Sequence, residues 1–225
     1  MNRGFPSFVR TIENPAGTAL DPPPEVIFHH LPKTAGSTFR RILESLFEPR
    51  EICPGEIDDE IRQLPPAERA RYRLYAGHFS YEMIAAAFPD AVWLTFLRQP
   101  IPRVISNYYN LTRPQRHTAQ WRRRVAARPA VQRFVDRVAG MTLREFVHLD
   151  DPRARDRVIN RQTRYLVSGC PDPFDGGGEE AACFPVYDPA IVAEAKRNLR
   201  QRFAFVGIQE HFDLSLQLFA MTFGL

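Results

Sequence analysis

Long hydrophobic runs are missing from this chain of 225 residues. No stretch approaches the roughly eighteen apolar residues that a membrane-spanning helix needs. No secretory leader opens the chain, so a soluble, cytoplasmic protein without stable membrane insertion is expected. Cysteine is scarce as well: Cys53, Cys170 and Cys183 are few and odd in number, which favours reduced thiols. A Cys170–Cys183 bridge stays open as the alternative. Metal-binding signatures are absent, with no HExxH, no CxxC and no acidic calcium loop, so no metal is expected. Nucleic-acid modules are equally missing, and nucleic acid is not an expected partner. The basic residues are almost all arginine; Lys33 and Lys196 are the only lysines.

One segment lacks acids altogether. Between Arg113 and Arg128 stand six arginines and no Asp or Glu, with His117 and Trp121 among them. Two readings compete. One is a solvated helix in an arginine-biased chain; the other is a contact surface for an anionic partner.

What is present bounds the architecture. A chain of this length buries one substantial core, so residues 26–225 read as a single domain. Residues 1–25, with Pro15, Gly17 and Pro22 to Pro24, read as a mobile lead-in. Strand-like runs at Val26–His30, Leu74–Ala76, Val92–Leu97 and Phe203–Ile208 alternate with helical stretches. That alternation predicts an α/β fold, a three-layer α/β/α sandwich around a mostly parallel sheet. Asp188-Pro189 predicts a helix start running to about Arg200. A Thr142-x-x-Glu145 capping box predicts another over Thr142 to Leu149. Pro171 to Pro185, with glycines at 176 to 178, reads as a surface loop and a lid over an acceptor.

The segment Val26-Ile-Phe-His-His-Leu-Pro-Lys-Thr-Ala-Gly-Ser-Thr-Phe39 carries the most chemistry. It predicts a buried strand, a tight turn holding Lys33 and Gly36, and a helix opening at Ser37 and Thr38. Unbonded N–H groups and the positive dipole end at such a helix start attract phosphate or sulfate. Lys33 adds a point charge, and the Ser37 and Thr38 hydroxyls add donors. In a nucleotide-triphosphate loop the lysine follows the last glycine; here Lys33 precedes Gly36.

A second motif, Val92-Trp-Leu-Thr-Phe-Leu-Arg-Gln-Pro-Ile-Pro-Arg-Val-Ile-Ser-Asn-Tyr-Tyr109, puts Arg98 at a strand end, where open α/β sheets bind ligands. Pro100 and Pro102 fit the first turn of a helix. Arg103, Ser106 and Tyr109 then follow at three-residue spacing, roughly on one side. Arg98 and Ser106 are suited to grip one phosphate. The bland alternative pairs Arg98 with a carboxylate.

Pro32-Lys-Thr-Ala-Gly-Ser-Thr38 resembles the 5′-phosphosulfate loop of sulfotransferases, and Phe96-Leu-Arg-Gln-Pro-Ile-Pro-Arg-Val-Ile-Ser106 their 3′-phosphate motif. The likeness is nearest to the carbohydrate branch that includes heparan sulfate 2-O-sulfotransferases. Asn160 to Leu166 and Phe205 to Asp213 support it. The resemblance implies a P-loop-like fold, 3′-phosphoadenosine 5′-phosphosulfate as donor, and a hydroxyl or, less favoured, amine acceptor. By position, Lys33, Thr34, Ala35, Gly36, Ser37 and Thr38 would surround the 5′-phosphosulfate. Arg98 and Ser106 would hold the 3′-phosphate. Golgi members carry a membrane anchor, so the resemblance implies either a bacterial-type soluble enzyme or a chain trimmed of its anchor. Many relatives also continue past the last signature, near the nucleotide.

An alcohol acceptor needs a base, and histidine is suited to that role. Of His29, His30, His78, His117, His148 and His211, His78 follows Gly77 at a predicted strand end. The resemblance points to the same residue. Some heparan-type members have another histidine two positions earlier, where this chain has Ala76. His29 and His30 alternate along a strand and cannot both line one pocket; one is expected in the core and the other near the loop. His148 reads as a helix-end contact. The expected reaction is in-line attack on sulfur with His78 as base and Lys33 stabilising the leaving phosphate. A P-loop kinase and a non-catalytic nucleotide-binding protein are the competing classes. Residues 50–73 and 113–140 are expected to shape the acceptor choice, the sharper reading of the basic segment being contact with an anionic, already sulfated glycan; oligomeric state is not legible.

Overall fold

A computed structural model describes residues 25–113, 118–169 and 188–225. Residues 1–24 of the lead-in, the loop from Pro171 to Pro185, Cys170, Cys183 and His117 lie outside the described residues.

Four strands, β1 (Val26–His29), β2 (Leu74–Gly77), β3 (Val92–Leu97) and β4 (Phe203–Ile208), form one sheet in the order β2-β1-β3-β4. Every pairing is parallel, so the expected mostly parallel sheet is wholly parallel among the described residues. Apolar side chains on both faces suit strands that helices must cover twice. On one face Phe28, Leu94 and Phe96 pack against Phe39 and Leu43 of helix α1 (Gly36–Glu44). On the other, Ile27, Tyr75 and Trp93 meet Met83 and Ile84 of a helix over Tyr81–Ala87. The three-layer sandwich follows.

The last strand has one irregularity. Its register slips between Trp93 and Leu94, so Phe203 opposes Trp93 while Phe205 opposes Leu94. The extra residue sends Phe203 and Phe205 into cores on opposite faces, although their spacing of two assigns them to one.

Helix α2 (Pro100–Thr112) leaves the end of β3 with Pro100 in its first turn. It joins α3 (Ala119–Ala126), α4 (Pro129–Val138), a short helix over Leu143–Val147 and α5 (Pro152–Val158) in an all-helical cluster around Phe134, Val138 and Phe146. Local signals hold here. Thr142 and Glu145 form the anticipated capping box, and Asp188 caps the helix Pro189–Arg202 through the Ala190 N–H at 2.8 Å. His148 is an exposed residue at the end of its helix. Cys53 is buried and free, and burial pushes its thiol up to about 11.

Candidate active site

The chain after β1 turns sharply and leaves backbone N–H groups pointing outward. Lys33 and Ala35 adopt positive φ values of 72° and 71°, conformations that cost about 1–3 kcal/mol each in a non-glycine residue. Ala35 stands directly before α1, and a left-handed residue before a helical one turns successive N–H groups into one concavity. Thr38 donates the first bond within the helix, to the Ala35 carbonyl at 3.1 Å. The N–H groups of Gly36 and Ser37 therefore face out of the helix start.

Gly36 is required by a neighbour. A Cβ there would lie 2.0 Å from Cδ2 of His30, so the imidazole rests directly on the loop backbone. Thr34 is fully buried, and its hydroxyl donates to the Leu31 carbonyl at 2.8 Å. That hydroxyl shapes the turn rather than facing the cavity. Lys33 Nζ donates to Asn110 Oδ1 of α2 at 3.2 Å.

On the β3 side, Arg98 donates from Nη1 to the Lys33 carbonyl at 3.2 Å, which ties the second motif to the first. Its backbone is clamped by one amide: Gln162 accepts from the Arg98 N–H at 2.8 Å and donates to its carbonyl at 2.7 Å. Glu210 stands 3.9 Å from Arg98 Nε, a loose version of the carboxylate pairing in the bland reading. The anticipated trio on α2 divides. Ser106 lines the cavity, Arg103 is buried and donates to the Arg157 carbonyl at 2.5 Å, and Tyr109 is exposed beneath the Arg113 guanidinium. Three-residue steps rotate steadily around a helix, so one row reaches three environments.

On the β2 side stands His78, partly exposed at the cavity wall. Its backbone N–H donates to the Glu56 carbonyl at 2.7 Å, and its Nδ1 lies 2.5 Å from the His30 carbonyl. A carbonyl only accepts, so Nδ1 carries the proton and Nε2 is the basic nitrogen. Burial drives the pKa of this imidazole down to about 4, against the bond to the His30 carbonyl and the charge of Glu56; Arg161 and Arg124 lower it further. At neutral pH His78 is an uncharged base. Gly77 before it admits no side chain, because a Cβ would sit 2.4 Å from the Glu56 carbonyl oxygen.

A cavity of about 640 Å³ joins these parts, with Lys33, Ala35, Gly36, Ser37, Thr38, His78, Arg98 and Ser106 all on its wall. The sulfotransferase family model matches residues 17–182, more than half of the chain. The chain belongs to the sulfotransferase family. Comparison with curated proteins finds no match.

Within this sulfotransferase the two neighbouring histidines separate as the pleat requires. His29 is buried, its Nε2 3.0 Å from the Phe79 carbonyl, and burial holds its pKa down to about 3. His30 lines the cavity with its ring centroid 4.4 Å from that of His78. Burial, then the nearby His78, Arg40 and Lys33, holds it well below its ordinary pKa. His30, just past β1, thus brings a second imidazole beside His78.

The arginine-rich segment does not act as one surface. Arg122 and Arg123 are exposed, whereas Arg124 turns inward, bonding Glu56 at 2.7 Å and both oxygens of Glu60. Arg40 pairs with Glu56 and Glu44 from the other side. Burial opposes ionisation of Glu56, yet Arg40 and Arg124 hold its carboxyl below the usual range. Apart from the i,i+4 pair of Arg40 and Glu44, the ion-paired partners in this network are distant in the chain, so it had no sequence signal. Among the described residues, no helix is long and apolar enough to cross a membrane.

Proposed function

We propose that this sulfotransferase moves a sulfuryl group from 3′-phosphoadenosine 5′-phosphosulfate to a hydroxyl acceptor, in the manner of the carbohydrate branch, with residues 26–225 acting as one catalytic unit. The observation that carries the reading is the arrangement about the β1 loop. The sheet order sets Arg98, just past β3, on one side of that loop and His78, just past β2, on the other. A donor with anions on both sides of its ribose suits a loop cradle plus a second cation. A nucleoside triphosphate needs no such second grip.

The residues fit that donor chemically. Backbone N–H groups of Gly36 and Ser37 and the Lys33 ammonium receive the 5′-phosphosulfate, with Ser37 and Thr38 hydroxyls at the rim. Arg98 and Ser106 receive the 3′-phosphate. The donor supplies an electrophilic sulfur and a phosphate leaving group. His78 Nε2 takes the acceptor proton as the acceptor oxygen forms its bond to sulfur. The sulfur–oxygen bond to the phosphate breaks, and its electron pair stays on the phosphate. Lys33 and the loop amides neutralise that growing charge, commonly the largest catalytic term. His30 acts as a positioning residue: its carbonyl fixes the His78 tautomer, and its ring supports the loop.

Thermal unfolding with adenosine 3′,5′-bisphosphate, 5′-AMP and ATP–magnesium tests the reading. Ligand at 100 times its Kd stabilises by about 2.7 kcal/mol, and the bisphosphate is expected to do so selectively. A response to ATP–magnesium alone would support a kinase instead.

A further inference from the structure

The two loop motifs meet at one residue, Lys33. Its carbonyl accepts from Arg98 Nη1 at 3.2 Å, and its Nζ donates to Asn110 Oδ1 at the same distance. Arg98 and Asn110 both belong to the stretch that leaves β3 and forms α2. One segment thus holds Lys33 at its backbone and at its charged tip. We propose that Asn110 is a positioning residue for Lys33, fixing the ammonium where the 5′-phosphosulfate of the donor arrives. The proposal rests on the sulfuryl-transfer reading.

A lysine carries its charge on a flexible four-carbon stem, and ordering that stem opposes binding. A bond made before the ligand arrives removes part of that cost. The backbone adds its own constraint, since Lys33 is held at a φ of 72°. The turn therefore fixes where the stem begins, and Asn110 fixes where it ends.

The chemistry of the partner suits this task. An amide oxygen is neutral, so its bond to an ammonium is weaker than that of a phosphate and yields to it. A carboxylate at position 110 would pair with Lys33 and compete with the donor. Asparagine holds the charge without neutralising it.

Its place on the helix agrees. Asn110 stands one turn beyond Ser106, and both share the cavity wall with Lys33. Ser106 is the residue assigned to the 3′-phosphate, so one face of α2 would serve both ends of the donor. That face sets the spacing between the ammonium and the second anion grip.

Calorimetry with adenosine 3′,5′-bisphosphate and adenosine 3′-monophosphate tests this on wild type, N110A, N110D, K33A and K33A/N110A. N110A should weaken the bisphosphate about three- to tenfold, the usual net contribution of one hydrogen bond, and leave the 3′-monophosphate unchanged. N110D keeps the shape of the side chain yet should weaken the bisphosphate further. In the K33A background N110A should change nothing, as expected of a residue that acts through the lysine. Trace acetylation gives a second readout, because Lys196, the other lysine of the chain, is exposed and serves as the reference. Read by mass spectrometry, Lys33 should label faster in N110A and slower in N110D. An equal loss from N110A in both backgrounds, wild-type affinity in N110D, or unmoved Lys33 labelling would overturn the proposal and leave the donor reading standing. If wild type bound neither nucleotide, the donor reading would fail and take the donor role of Asn110 with it; slowed Lys33 labelling in N110D would then leave only the tether.

Discussion

The imidazole of His78 stands 4.4 Å, ring to ring, from that of His30 and bonds through Nδ1 to the His30 carbonyl, 2.5 Å away. One residue just past β1 thus contacts the proposed base just past β2 twice, by its backbone carbonyl and by its ring. It also touches the proposed phosphosulfate loop at Gly36. One residue thus links the proposed base to the proposed donor loop.

Replacing His78 by asparagine should lower kcat by about 10²- to 10⁴-fold, the usual contribution of a general base. Bisphosphate affinity should stay within a few-fold of wild type, as read by thermal shift. Near-normal turnover would remove His78 from the base role.

The pH dependence follows from neutral histidines. His78 titrates at about 4 and His29 at about 3 in the folded protein, below the ordinary 6.5 or so of an unfolded chain. The unfolded state therefore binds protons first as pH falls. Stability is fully present above about 6.5 and is lost progressively down towards pH 4 and 3. Denaturant midpoints taken from pH 8 to pH 4 should fall in that direction. The acid limb of kcat/KM for the free enzyme should lie near 4, not 6.5.

Gly36→Ala should be costly far beyond helix propensity, which favours alanine. A methyl 2.0 Å from the His30 ring must displace the imidazole or the loop. A stability loss of about 1–3 kcal/mol is expected from overpacking, with loss of bisphosphate binding. A melt matching wild type with intact binding would contradict this packing.

Neighbouring arginines should behave differently. Arg124→Ala leaves Glu56 and Glu60 with fewer partners, and about 1–3 kcal/mol of destabilisation is expected. Arg122→Ala and Arg123→Ala, both exposed, should fall within about 0.5 kcal/mol of wild type. Urea denaturation of the three variants distinguishes them.

Gln162→Leu removes both bonds that fix the Arg98 backbone. Bisphosphate affinity should weaken about tenfold, or 1.4 kcal/mol, with kcat less affected. Unchanged affinity would mean that Arg98 is held adequately by its contacts with Lys33 and Glu210.

Short-range chemistry determined much of this protein before any folding. Apolar runs bounded by glycine, proline and capping residues marked all four strands and the helices at Gly36, Pro100, Thr142 and Asp188, because propensity and capping act over a few positions. The turn around Gly36 and the Arg98 strand end were legible for the same reason. Other features were decided only by tertiary structure. Pleating puts His29 and His30 on opposite sides, but which one meets His78 depends on the helices covering each face. Arg122, Arg123 and Arg124 are equivalent as letters, and only contact with Glu56 and Glu60 draws one inward. The β4 slip that divides Phe203 from Phe205, and the gathering of Arg157 with Trp121 on one cavity wall, likewise arise between segments far apart in the chain. Such contacts are fixed by packing, which no local pattern encodes.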